Sequence, residues 1–235
     1  MELLNPLEQE ALLLSIKVAG TGIAFGLLPG VGIGWLLARR QFPGKSLLDG
    51  LVHFPLVAPP IVIGYLLLVT LGRRGFVGAW LYENFGLTFG FSWRGAAVAA
   101  GIVGFPLLVR SVRLSVEAID RRLELAAATL GASPWRRFFT ISLPLMSPGI
   151  LAGMVLAFAR ALGEFGATIS FVSNIPGETR TLPLAIFAQL QIPGGEAAAG
   201  RLMLLSLILA GAALLASELL NRRILRRLHG SSGGA

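Results

Sequence analysis

Apolar runs long enough to cross a bilayer alternate along this chain with short polar stretches marked by glycine, proline or arginine. The runs lie near residues 11–38, 51–71, 93–111, 145–171 and 202–221. A hydrocarbon layer of about 30 Å takes about 20 residues of helix, and backbone groups inside lipid find no water, so these runs must be helical. The pattern predicts an all-α integral membrane protein, a bundle of about five transmembrane helices forming one domain over residues 1–235. Asn5, Pro6 and Glu8 have the spacing of a helix cap, a first helical residue and a capping-box acid, which starts the first helix there.

Within the first run Gly22, Gly26, Gly30 and Gly34 recur at every fourth position. On a helix they form one flat stripe, the device by which membrane helices approach closely. The stripe leaves open whether its partner belongs to this chain or to a second copy. Pro55, Pro59 and Pro60 interrupt the second run and Pro106 the third, each removing a helical hydrogen bond. The segment 72–92 reads as a short connection whose aromatic residues anchor at the membrane interface. After the fourth run a polar, turn-rich stretch leads into apolar residues 182–190, about half the length of a crossing, which predicts a partial or re-entrant helix.

Composition agrees: 54% of residues are hydrophobic and 14% charged, with mean hydropathy +0.75. No cysteine is present, which excludes disulfides, thiolate catalysis and Cys-ligated metals. The net charge of +8 would suggest nucleic acid in a soluble protein, but the basic residues here follow the loops. Arg39, Arg40, Lys45, Arg110, Arg113, Arg121, Arg122, Arg136, Arg137, Arg222, Arg223, Arg226 and Arg227 fall on one side. Only Arg73, Arg74, Arg94, Arg180 and Arg201 fall on the other. By the positive-inside rule the N-terminus is outside and the C-terminus cytoplasmic. The leading flank carries Glu2, Glu8 and Glu10 and no basic residue, so the first run reads as a retained span rather than a signal peptide. Lys17 near its outer end is expected to snorkel, and the basic tail NRRILRRLHGSSGGA to anchor on anionic lipid. Gly44, Lys45 and Ser46 imitate the end of a phosphate loop, but position 39 is arginine and no strand precedes it, so they read as a basic turn.

One stretch departs from the apolar pattern. From Glu117 to Leu130 runs a charged helical segment; Gly131 can take the left-handed conformation that ends a helix. Ser133 and Pro134 then restart one as cap and first residue. The second helix, WRRFFTISL, carries Trp135, Phe138 and Phe139 among Arg136, Arg137 and Thr140, and Pro144 is expected to stop it. Such a projecting pair with aromatic groups at its tip needs a cover, and the residues alone leave lipid headgroups and a partner's groove equally open.

The spacing resembles the signature loop of ABC-importer permeases: E-A-A, three residues, G, nine residues, then I-x-L-P. Gly131 is followed at that interval by Ile141, Leu143 and Pro144, and preceded by Ala126 and Ala127; the triplet reads Leu125-Ala126-Ala127, with Glu124 one place early. The resemblance implies a type I importer permease fold in which a cytoplasmic coupling loop, residues 112–144, docks on a separate ATPase. It carries over Glu124, Ala126, Ala127, Gly131, Ile141, Leu143 and Pro144 as loop residues, with Trp135, Arg136, Phe138 and Phe139 as coupling-helix contacts. More narrowly, FPLVAPPIVIGYLLLV, GRRGF, SWRGA, VLAFARALGEFGATI and FVSNIPGETRTLP resemble the permeases of molybdate importers. That implies uptake of molybdate or tungstate across a bacterial inner membrane, with sulfate, thiosulfate or another oxyanion as the alternative. It further implies a homodimer, a periplasmic or surface molybdate-binding protein, and membrane lipid as surroundings. ATP and Mg belong to the partner ATPase; this chain binds no cofactor, metal or nucleic acid and has no catalytic residue.

Pathway and gate candidates are Arg160, Gly163, Glu164, Gly166, Thr168 and Arg180. Arg160 and Glu164 are ionisable groups four apart inside a span, the kind that faces a bundle interior or water; an internal ion pair is the equal alternative. The flanking glycines allow a bend. Arg180 is suited to a tetrahedral anion, although a loop arginine is more often simply solvated. An intramembrane serine protease is disfavoured, since the only histidines are His53 and His229 and no G-x-S-x-G occurs. An ion-coupled carrier or channel is disfavoured by the lack of an internal repeat.

Overall fold

The computed structural model describes residues 5–230; Glu2 of the acidic flank and the closing SSGGA stretch, residues 231–235, lie outside the described residues. The chain forms α1 (Pro6–Arg39), α2 (Lys45–Val57), α3 (Pro60–Leu71), α4 (Phe76–Phe85), α5 (Trp93–Glu117), α6 (Arg121–Thr129), α7 (Pro134–Arg137), α8 (Leu143–Leu162), α9 (Gly166–Val172), α10 (Leu182–Leu190) and α11 (Glu196–Gly230). Among the described residues four stretches are long and apolar enough to cross a membrane: α1, α5, the continuous Pro134–Leu162 and Glu196–Ala216; the bent pair α2–α3, taken as one span, brings the number to five.

Asn5 caps α1 through a capping box in which Glu8 reaches back to the Asn5 N–H at 3.0 Å. Glu8 Oε1 also pairs with Arg201 Nη2 at 3.0 Å, which fastens the start of α1 to α11. Helix α5 is the centre of the bundle, with Ala96, Ala99, Ala100, Val103, Val112 and Val116 buried. Lipid tails are as apolar as these side chains, so close contact rather than water exclusion holds the helices. The glycine stripe of α1 supplies it, and its partner is α5 of the same chain. A Cβ at Gly22 would lie 2.5 Å from the Ala97 carbonyl oxygen, one at Gly30 2.7 Å from Leu108, and one at Gly34 2.8 Å from Val112. Lys17 does not simply snorkel: its Nζ sits 3.7 Å from the centre of the Trp93 ring, a cation–π contact that ties α1 to the start of α5.

Three expectations need correction. The run 51–71 is not one straight span: α2 and α3 meet at 113°. Consecutive Pro59 and Pro60 force Ala58 into extended backbone (ψ 140°), and neither proline can donate to the preceding turn. The run 145–171 is broken at 163–165, between α8 and α9. Pro144 does not stop the second helix of the charged segment; residues 138–142 form a π-helical turn, in which the Leu143 N–H bonds to the Phe138 carbonyl, and the helix continues into α8. The wider turn makes room for a ring that would otherwise press on the carbonyl four residues back. The connection 72–92 holds the short helix α4, and residues 182–190 form the partial helix α10.

Candidate functional site: the charged loop and the broken spans

The loop begins where Asp120 caps α6, its carboxylate accepting from the Arg122 N–H at 2.9 Å. Helix α6 buries no residue. It ends in a Schellman turn: Gly131 has φ 82°, its N–H bonds to the Ala128 carbonyl, and the Ala132 N–H bonds to the Ala127 carbonyl. Ser133 then caps α7 by accepting from the Arg136 N–H. The tip exposes Leu125, Leu130, Trp135 and Phe139; Trp135 is 74% exposed and stacks on Phe139 with ring centres 6.3 Å apart. Arg136 and Ala126 are exposed beside them. Phe138 turns the other way and meets Trp35 of α1 edge to face at 6.3 Å. Ile141, Leu143 and Pro144 are half-buried.

Glu124 also points inward. Its Oε1 accepts from Ser142 Oγ at 2.7 Å and from Arg39 Nη2 at 3.2 Å, while Arg39 Nη2 reaches the Ile119 carbonyl at 3.4 Å. One carboxylate thus joins α6 to the end of α1 and the root of α8. Leu125, where the signature has its acid, is exposed. Sequence reasoning missed Arg39 and Ser142: Arg39 was only a topology charge, and Ser142 is the unspecified residue inside I-x-L-P. At the same end of the bundle Arg113 holds Asp49 of α2 at 3.0 Å and Glu117 at 2.9 Å, so α2 is fastened to α5.

The second constellation lies at the two breaks, which pack on each other. A Cβ at Gly166 would lie 2.8 Å from Pro60 Cβ, and one at Gly64 would overlap the Ala167 carbonyl. Only glycine allows α3 and α9 to cross this closely. Glu164 is buried, 2% exposed, and divides its oxygens: Oε2 takes Arg160 Nη1 at 2.8 Å and Oε1 takes the Ala167 N–H at 2.8 Å. The carboxylate therefore caps α9 and neutralises Arg160 across the break. Gly163 ends α8 and is exposed; Thr168 is buried within α9.

Arg180 stands apart, in a braced loop near the start of α1. Its Nε donates to Asn174 Oδ1 at 2.8 Å, and it borders a small recess with Glu10, Leu14 and Gly177. Thr179 Oγ1 stitches the loop by accepting from the Ile175 N–H and donating to the Ser173 carbonyl. The Leu182 N–H donates to Ser15 Oγ at 2.7 Å, docking α10 on α1. A groove of about 870 Å³ between α1, α2 and α5, lined by Phe25, Leu51, Pro55 and Phe105, is almost wholly apolar, with Arg94 at one end. It offers an oxyanion too few donors to replace its water.

The molybdenum transport system permease protein of Escherichia coli strain K12 is 60% identical to this chain over 215 residues, covering 92% of this chain and 94% of that protein. A sulfate transport system permease of the same strain is 39% identical over 188 residues, covering 79% and 66%. Among solved structures, the bacterial alginate ABC transporter in complex with its pentasaccharide-bound periplasmic protein contains a chain that superposes with TM-score 0.73 at 16% identity, over 94% of this chain and 80% of that one. The model of the binding-protein-dependent transport system inner membrane component family matches residues 30–229, and the chain belongs to that family.

Proposed function

We propose that this chain is the membrane-spanning subunit of an ATP-driven importer for molybdate, with tungstate as a second cargo. The observation that carries the reading is the 60% identity, over nearly the whole chain, to a molybdenum transport permease; the 39% identity to a sulfate permease covers less and makes sulfate or thiosulfate the weaker assignment. Two copies form the path, an external binding protein delivers the anion, and a separate cytoplasmic ATPase holds ATP and Mg. The charged loop faces the cytoplasm, the N-terminus the outside.

The loop geometry supports the division of labour. Leu125, Leu130, Trp135 and Phe139 form an exposed apolar tip with Arg136 beside it, suited to a groove with an acidic rim. Burying one large apolar side chain contributes about 1.5–3 kcal/mol, so the two aromatic groups together contribute about 3–6 kcal/mol to docking. Because α7, the π turn and α8 are continuous, force applied at the tip enters the bundle directly. ATP-driven approach of two such tips alternates access between the membrane faces.

The test is uptake of trace labelled molybdate in cells with and without the gene, with excess sulfate and then tungstate as competitors. Loss of uptake on deletion, insensitive to sulfate and blocked by tungstate in the intact strain, is the expected result. Unchanged molybdate uptake with impaired sulfate uptake would replace the cargo and keep the importer.

A further inference from the structure

We propose that Arg160 is the membrane-embedded binding site for the oxyanion in transit, and that Glu164 weakens this site so that the anion can leave. The inference rests on the oxyanion-importer reading above and adds the residue that handles the charge.

Depth comes first. Gly104 lies near the middle of α5, and a Cβ there would sit 2.8 Å from the Ala157 carbonyl oxygen of α8. Arg160 follows three residues later, about 4.5 Å along the axis at 1.5 Å per residue. Its position is therefore within one helical turn of the bundle's middle.

Orientation comes second. The Arg160 side chain is 34% exposed although its partner carboxylate is buried. Leu156 and Gly163, four before and three after it on the helix, are exposed on the same side, so that face stays open among the described residues. Lipid is a poor neighbour for a guanidinium at this depth; ionisable groups there face water or a second protein surface. In a two-copy assembly that surface is the path.

Donor capacity comes third. A guanidinium carries five N–H donors in a planar fork that matches the edge of a tetrahedral oxyanion. Among the described residues only Nη1 is engaged, by Glu164, while Nε and Nη2 have no acceptor. Glu164 has both oxygens committed, one to Arg160 and one to the Ala167 N–H, so it stays in place as a fixed competitor. Conduction needs a site strong enough to admit the ion and weak enough to release it. A lone guanidinium at this depth would hold a dianion tightly; one paired with a carboxylate holds it through its free N–H donors alone and lets it go.

The experiment uses the complete complex with its ATPase and binding protein in proteoliposomes and follows labelled molybdate. R160Q is expected to cut uptake by about 30-fold or more, in line with losing a charge-assisted contact. R160Q leaves Glu164 without a counter-charge, so the double variant R160Q/E164Q, which removes both charges, is the decisive one. It is expected to assemble and still fail to transport. R160K keeps the charge and loses the fork, and is expected to transport about 10-fold more slowly. Wild-type rates from the double variant would mean that Arg160 only neutralises Glu164 and would overturn the proposal, as would wild-type rates from R160Q or R160K. If the unaltered complex carries sulfate instead of molybdate, the cargo assignment fails separately, and the same series with sulfate decides on Arg160. A complex that carries no oxyanion ends both.

Discussion

Replacing Glu124 by alanine separates a brace from a docking contact. Glu124 Oε1 takes two hydrogen bonds, from Ser142 Oγ at 2.7 Å and Arg39 Nη2 at 3.2 Å, and the Arg39 side chain is only 8% exposed. Hydrogen bonds to charged groups contribute about 1.5–3 kcal/mol each. The Glu124 side chain is 22% exposed, so water partly replaces what is lost, and the sum of about 3–6 kcal/mol is discounted to about 2–3 kcal/mol. Helix α6 buries no residue of its own, so this carboxylate carries a large share of its attachment. The local opening free energy of residues 123–130 should fall by that amount, and their amide hydrogen exchange should accelerate about 30–150-fold. Peptides from the middle of α5 serve as the internal control and should not change. Ser142→Ala, which removes one of the two bonds, should give about 10-fold. Wild-type exchange of α6 in the Glu124→Ala protein, or equal acceleration of α5, would refute the bracing role.

Further outcomes follow from the same contacts. Gly22→Ala forces a methyl against the Ala97 carbonyl, whereas a Cβ at Gly32 meets nothing within 4 Å; the first should destabilise by about 1–3 kcal/mol and the second should be neutral or stabilising by up to about 1 kcal/mol, read from denaturant unfolding in micelles. Gly131→Pro cannot hold φ 82° and loses the N–H bonded to Ala128, so membrane insertion should persist while the ATPase no longer co-purifies; normal co-purification would count against docking at this turn. Ser15→Ala leaves the buried Leu182 N–H without its acceptor and should cost about 1–3 kcal/mol, seen as a lower thermal midpoint with unchanged insertion.

What the sequence shows and what it hides divide by range. The turn at Gly131 is legible because everything that makes it is local: a glycine for the left-handed residue and a Ser-Pro pair to restart the helix. The glycine stripe of α1 is legible as a packing face, but its partner is not, since any small-residue helix could receive it; the structure identifies α5. The inward role of Glu124 is invisible in one dimension, because Arg39 is 85 residues away. Prolines mark breaks without fixing their consequence. Ala58-Pro59-Pro60 yields a 113° bend because α3 is drawn onto α9 through Gly64, whereas Pro144 yields only a π turn because that turn is held at both its ends, by Phe138 on Trp35 and by Ser142 on Glu124.

The two constellations are the ends of one mechanical element. From Pro134 to Leu162 the chain is a single helix, about 43 Å long at 1.5 Å per residue. One end carries the exposed Trp135 and Phe139, and the far end carries Arg160 beside the break. Just beyond Trp135 lies the π turn, where the hydrogen-bond ladder is already widened and a small rotation is cheap. Glu124 grips that turn through Ser142, so motion of α6 and α7 cannot occur without loading it. At the far end Gly163 and the split carboxylate of Glu164 allow α8 to turn against α9 while both keep a partner. A rigid rod with a yielding joint at each end passes a displacement, not a bend. The anion site at its tip can therefore change the side it faces without being dismantled, provided Arg160 and Glu164 move as a pair.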